Sequence, residues 1–136
     1  MYHITKNIET ARLWFESGWN ERNDNIIKEL MTENCISHLA VGPVRGPREF
    51  LNMRANFLKA FPDLRLFLQD IVGEGNNVVV RWRSEGTHTG EAFGLKPTNK
   101  HLSFVGLTWI RFENGKIVEG WDGWNFTGIF KEMGAS

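Results

Sequence analysis

Among the residues that can transfer a proton, this 136-residue chain has four histidines and four aspartates, Asp24, Asp63, Asp70 and Asp122. Histidine is the side chain whose ordinary titration lies closest to neutrality, so His38 and His88 come first. His88 ends a strand-like run in which Trp82, Ser84, Gly86 and His88 share one face. It is either a catalytic histidine at the mouth of a pocket or one bonded to loop backbone. His38 lies in a short strand beside a Gly/Pro loop. It is either a pocket donor or base, or a histidine satisfied in place. His3 and His101 read as surface residues. The single cysteine, Cys35, excludes an internal disulfide and a cysteine-based zinc site, and no metal site is expected. His38, three residues on, points to the opposite strand face and cannot serve Cys35 as a base. The only tyrosine, Tyr2, sits at a terminus expected to fray, which leaves no buried phenol as donor.

Composition narrows the field further. Sixteen Lys+Arg balance sixteen Asp+Glu, which argues against a nucleic-acid partner. No apolar run approaches the roughly 20 residues that span a bilayer, and the start lacks a signal-peptide core. A cytoplasmic protein with no membrane partner is expected, as one domain over residues 1–136. Ten Phe and six Trp supply an aromatic stripe. Phe15, Trp19, Phe57, Phe61, Trp82, Phe104 and Trp121 can be core on one side and the wall of a pocket for a flat apolar ligand on the other.

The elements that must position these residues follow from periodicity. Ile4, Ile8, Ala11, Phe15 and Trp19 recur at helical spacing. Asn20 to Asp24 is a polar break, with Asp24 as N-cap of a short helix. Thr32-Glu33-Asn34 reads as a turn, Cys35 to Ala40 as a strand and Val41 to Gly46 as a loop. Gly46-Pro47 opens a helix with the stripe Phe50, Met53, Phe57 and Ala60/Phe61, stopped by Pro62. Strands follow around Leu64–Gln69, Val78–Arg83, Lys100–Phe112 and Lys116–Phe126, and a short helix closes the chain around Ile129–Met133. Helices first and an antiparallel meander after make an α+β plan.

Asn114-Gly115 is a strong hairpin signal and pairs Glu113 with Lys116. Continued without interruption, this register sets Glu119 opposite Ile110, Trp121 opposite Thr108, Gly123 opposite Gly106 and Asn125 opposite Phe104 on the inner face. Val105, Leu107, Trp109, Asp122 and Trp124 then lie on the outer face. Both faces are partly apolar, so Val105, Leu107, Trp109 and Trp124 are expected to meet a second copy in a homodimer. Asp122 is expected outside, unless Gly120 and Gly123 permit a bulge that turns it inward as an acid.

Phe61-Pro62-Asp63-Leu64, Gly86-Thr87-His88-Thr89-Gly90, Pro97-Thr98-Asn99-Lys100, Gly115-Lys116-Ile117-Val118-Glu119-Gly120-Trp121 and the final Gly128…Met133-Gly134 together resemble the SnoaL-like polyketide cyclases of the NTF2-like superfamily. The resemblance implies a cone in which a curved antiparallel sheet wraps around N-terminal helices and encloses a pocket. It also implies no metal, no organic cofactor and frequent dimers. Cyclases of this kind are similar in placing a general acid/base Asp four residues after the Trp of Glu-x-Trp. Here that position is Asn125, an amide with no exchangeable proton for the task. The His- and Gln-type partners of that Asp fall on Phe104, Gly106 and Gly123.

Three readings follow. In the first, the chain is a cofactor-free enzyme of cyclase or isomerase type on a small apolar, cyclic or polyketide-like molecule, with His38, His88, Asp122 or Asn125 as catalytic candidates. Phe15, Trp19, Phe57, Phe61, Trp82, Phe104, Thr108, Trp121 and Asn125 would then be ligand contacts. In the second, the same scaffold binds without catalysing, because the expected acid is Asn125. In the third, aromatic side chains fill the interior and leave a dimeric interaction module.

Overall fold

The N-terminal periodicity forms helix α1 (Tyr2–Leu13), which runs directly into a π-helical segment, Trp14–Asn20. The structure is a computed structural model that describes residues 2–136, and the backbone of Tyr2, expected to fray, is placed in α1. The wider π turn brings residues five apart onto one face. Trp14 and Trp19 both pack against Phe50, at ring centroid distances of 4.9 and 6.1 Å. Helix α2 (Asp24–Leu30) is capped by Asn23, whose Oδ1 accepts from the Ile26 N–H, one residue earlier than expected. Asp24 is instead the first helical residue and pairs with the buried Arg54.

Strand β1 (Met31–Leu39) starts at once, so Thr32-Glu33-Asn34 is strand and not turn. Gly42–Arg45 forms a short β2 antiparallel to β1 where a loop was expected. Helix α3 (Gly46–Ala60) begins at Gly46-Pro47, and Glu49 reaches back to accept from the Arg45 N–H. Its buried face carries Phe50, Arg54, Phe57 and Ala60. Strands β3 (Arg65–Glu74), β4 (Asn77–Thr87), β5 (His101–Glu113) and β6 (Lys116–Trp124) follow, then helix α4 (Phe126–Glu132).

One sheet of order β2-β1-β6-β5-β4-β3 holds all six strands. The α+β expectation holds, with one difference: β1 runs parallel to β6, so the sheet is mixed. Helices cover its concave face. Edge strand β3 is fastened to them by Asn20, whose amide exchanges two 2.8 Å hydrogen bonds with the Leu66 backbone. Arg22 donates to the carbonyls of Trp19, Asn20, Pro62 and Leu64.

The β5–β6 register departs from the uninterrupted hairpin. Glu113 faces Lys116 and Phe112 faces Ile117, but Arg111 faces Glu119. Val118 is the extra residue of a bulge, and beyond it every side chain of β6 changes face. Trp109 now faces Trp121, Thr108 faces Asp122 and Gly106 faces Trp124. β1 breaks register against β6 at the same level, between Met31 and Ile36. Four expectations are thereby corrected: Glu119 and Trp121 lie on the outer face, Trp124 lies on the inner one, and Asp122 turns inward. Inserting one residue between Val118 and Glu119 should throw the later part of β6 out of phase and expel Asp122 and Trp124 from the interior, whereas deleting Val118 should leave both facing inward. The expected loss for the insertion is on the order of 3 kcal/mol in a chemical-denaturation curve, because a buried aromatic surface returns to water.

Candidate functional site

The bulge matters because a cavity lies between the helices and the inner sheet face. The π segment contributes Trp14, Phe15 and Trp19, and α3 adds Phe50, Met53 and Phe57. The sheet contributes Trp82, Phe104 and Trp124, with Thr108, Asp122, Ser84 and Ser37 as its polar side chains. Phe104 stacks on Trp124 at 5.0 Å, and Phe57 meets Trp124 edge-on at 5.9 Å. These rings line the space between the helices and the sheet.

Among the described residues, Asp122 is the only ionisable group on this wall. Its setting is built by three strands. Gly106 on β5 has no side chain, so the Trp82 indole from β4 lies across it; a Cβ at 106 would stand 2.5 Å from that ring. The indole thereby reaches Thr108, and Trp82 Nε1–H donates to Thr108 Oγ1 at 2.9 Å. An indole N–H can only donate, so the hydroxyl turns its own proton outward. It donates to Asp122 Oδ1 at 2.7 Å. The other carboxylate oxygen has no partner among the described residues and is free for a ligand. Burial pushes the Asp122 pKa up to about 6, with the Thr108 hydrogen bond pulling partly back. A carboxyl poised there exists in both protonation states near neutral pH, as a group that takes and returns a proton requires.

The other sequence candidates lie elsewhere. His38 is on the outer face. It stacks on Trp121 at 5.4 Å and bonds Glu119 at 2.8 Å, and Glu119 also holds Arg111. Those partners keep the Glu119 carboxyl below its usual range, the His38 hydrogen bond foremost. His88 is fully buried but does not line the cavity: its Nδ1 accepts from the Thr98 N–H, and its ring packs on Phe61 at 5.5 Å. Burial lowers its pKa, so it stays neutral and anchors the loop before β5. Phe61 is core and fills the space beside Gly86 rather than the cavity wall. Asn125 is exposed and caps α4, accepting from the Gly128 N–H at 3.0 Å, so it is neither acid nor ligand contact. Burial pushes the Cys35 thiol up to about 11, an unreactive state. Phe15, Trp19, Phe57, Trp82, Phe104 and Thr108 line the cavity.

Sequence reasoning missed Trp14, Ser37, Ser84 and Met53 as wall residues, and Trp124 as an inward one. One signal was available for the bulge. The uninterrupted register sets Glu119 against Ile110, whereas a one-residue shift sets Glu119 against Arg111 and Asp122 against Thr108, matching polar groups across the strands. Among the described residues, no three His, Cys, Asp or Glu gather as metal ligands, and no helix is long and apolar enough to cross a membrane.

The model of the SnoaL-like polyketide cyclase family matches residues 9–133. Among solved structures, a protein of Jannaschia sp. CCS1 provisionally described as a SnoaL-like polyketide cyclase superimposes with a TM-score of 0.89 at 24% identity, over 98% of this chain and 94% of that one. AclR of Streptomyces galilaeus, provisionally described as a hydroxylase, gives 0.83 at 26% identity over 96% and 82%. IdmH of Streptomyces antibioticus, provisionally described as a polyketide cyclase, gives 0.80 at 26% identity over 95% and 99%. No match was found among curated proteins.

Asp122 also leaves a signature in stability. Unfolded, it releases its proton near 3.8, and folded near 6. Folding therefore binds a proton between those values, and the stability this residue confers falls as pH rises through that window. Asp122→Asn should be more stable than the native protein at pH 8 by on the order of 2 kcal/mol, and the gap should close near pH 4. Thermal or denaturant unfolding at the two pH values measures it.

Proposed function

Because the chain belongs to the SnoaL-like polyketide cyclase family, we propose that it is a cofactor-free acid/base enzyme acting on a small apolar, cyclic or polyketide-like molecule. The observation that carries this reading is the single carboxyl group of Asp122 in an otherwise apolar and hydroxyl-bearing cavity, held by Thr108 and Trp82. In the proposed step, the free oxygen of the Asp122 carboxylate removes a proton from a carbon next to a carbonyl. The resulting enolate carbon attacks a second carbonyl of the same molecule, forming the ring bond. The alkoxide then takes the proton back from Asp122. The reaction is a net isomerisation and consumes no second reactant. The aromatic walls favour the folded, flat form in which the two carbons meet.

A general base must be ionised in the free enzyme, so kcat/KM on an aromatic polyketide ester should rise with pH through about 6 and then level off. Asp122→Asn should lower kcat by a factor of about 100 or more while leaving KM within a few-fold. Native-level turnover by this variant would remove Asp122 from the chemistry. Ligand binding without turnover by the native protein would favour the alternative, a non-catalytic binding protein on the same scaffold.

We further propose a homodimer through the outer sheet face. Val72, Val105, Leu107, Trp109 and Trp121 are exposed there, and Leu107 and Trp109 are each 49% accessible. Such a band is unusual for a surface that meets only water. Leu107→Asp should shift the sedimenting species from dimer to monomer, and a native protein that sediments as a monomer at micromolar concentration would contradict the proposal.

A further inference from the structure

Ser84 has one of the few buried polar side chains in the structure with an atom left without a partner. It is 1% exposed, and its Oγ meets no hydrogen-bonding group among the described residues. Such a group normally finds a partner, because leaving it unpaired costs stability. Ser84 also lines the cavity. The other polar side chains there are engaged: Thr108 between Trp82 and Asp122, and Ser37 with Cys35. We infer that Ser84 is a second polar anchor of the ligand site, donating to or accepting from an oxygen of the bound molecule at the end of the cavity away from Asp122.

The sheet register sets the spacing of that oxygen. Val80, Thr108 and Asp122 form one row across β4, β5 and β6, and Ser84 and Phe104 form another, four residues farther along β4. Four strand residues span about 13 Å along β4, and the Asp122 carboxyl, held at Thr108 on β5, stands about one strand spacing of 4.8 Å to the side, so the two anchors are about 14 Å apart. Subtracting one hydrogen-bond length at each end leaves about 8 Å between the two ligand oxygens. Two fused six-membered rings carry oxygens at their far ends with this separation. Trp82 and Trp124 lie between the two rows and Phe104 stands opposite Ser84, and together they offer such a ring system flat apolar surfaces. The inferred ligand class is thus a flat bicyclic or larger molecule with one oxygen at Asp122 and another at Ser84.

The inference rests on the reading of the cavity as a ligand site, and titration calorimetry with two probes separates the two. The probes are 2-naphthol and 2,6-dihydroxynaphthalene, against the native protein, Ser84→Ala and Asp122→Asn. The native protein should bind the diol about fivefold more tightly than the mono-ol, the worth of one hydrogen bond. Ser84→Ala should abolish that preference while keeping its affinity for 2-naphthol and an unchanged or higher Tm, since it loses an unpaired hydroxyl. Asp122→Asn should keep the preference that Ser84 confers. Equal diol preference in native protein and Ser84→Ala, or a parallel loss for both probes with a lower Tm, would overturn the role of Ser84 alone. Failure of the native protein to bind either naphthalene would overturn the cavity reading and this inference with it.

Discussion

The extra residue at Val118 decides which half of the last strand meets the interior. Side chains alternate along a strand, so one inserted residue moves every later group to the other face. The bulge puts Asp122 and Trp124 on the cavity wall, and sends Glu119 and Trp121 to the outer face beside Arg111 and His38. Without it, the cavity would hold Glu119 and Trp121, and the hydrogen bond between Thr108 and Asp122 would not exist. The matching irregularity in β1 shows that both neighbours of β6 adjust to it.

The setting of Asp122 then follows from small steps. An absent side chain at Gly106 gives the Trp82 indole room to lie along the sheet. The indole N–H orients the Thr108 hydroxyl, and that hydroxyl satisfies one oxygen of the carboxylate. Burial opposes the charge, and the hydrogen bond from Thr108 limits the opposition, which together hold the group near 6. A carboxyl in this state is a stability cost of the kind that functional sites carry. The same apolar environment that raises its pKa would bind the ring system on which it acts.

Much of the architecture was legible in the residues. The Pro47 helix start, the Pro62 stop, the Asn114-Gly115 hairpin and the aromatic stripe follow from local rules, and the linked motifs pointed to the family. The inward faces of Phe15, Trp19, Phe57, Trp82, Phe104 and Thr108 follow from the periodicity of their own elements, with no need to carry a register across a bulge. The last strand was not legible in this way, because a hairpin turn specifies register only until the first bulge, and tryptophans on both faces hid the change of phase. The roles of His38 and His88 depended on partners far away in sequence, Glu119 and Thr98, which no spacing rule supplies. Asn125 was read as a replaced acid, whereas its geometry is that of a helix cap.

The central claim is that the Asp122 carboxyl is held inside an apolar cavity in a state ready to exchange a proton. Its side-chain carboxyl carbon can be followed by carbon-13 NMR as pH is varied, with Asp122→Asn identifying the resonance. A midpoint near 6 is the expected result. A midpoint near the ordinary aspartate value of 3.8 would mean that the group faces water, and would contradict the account.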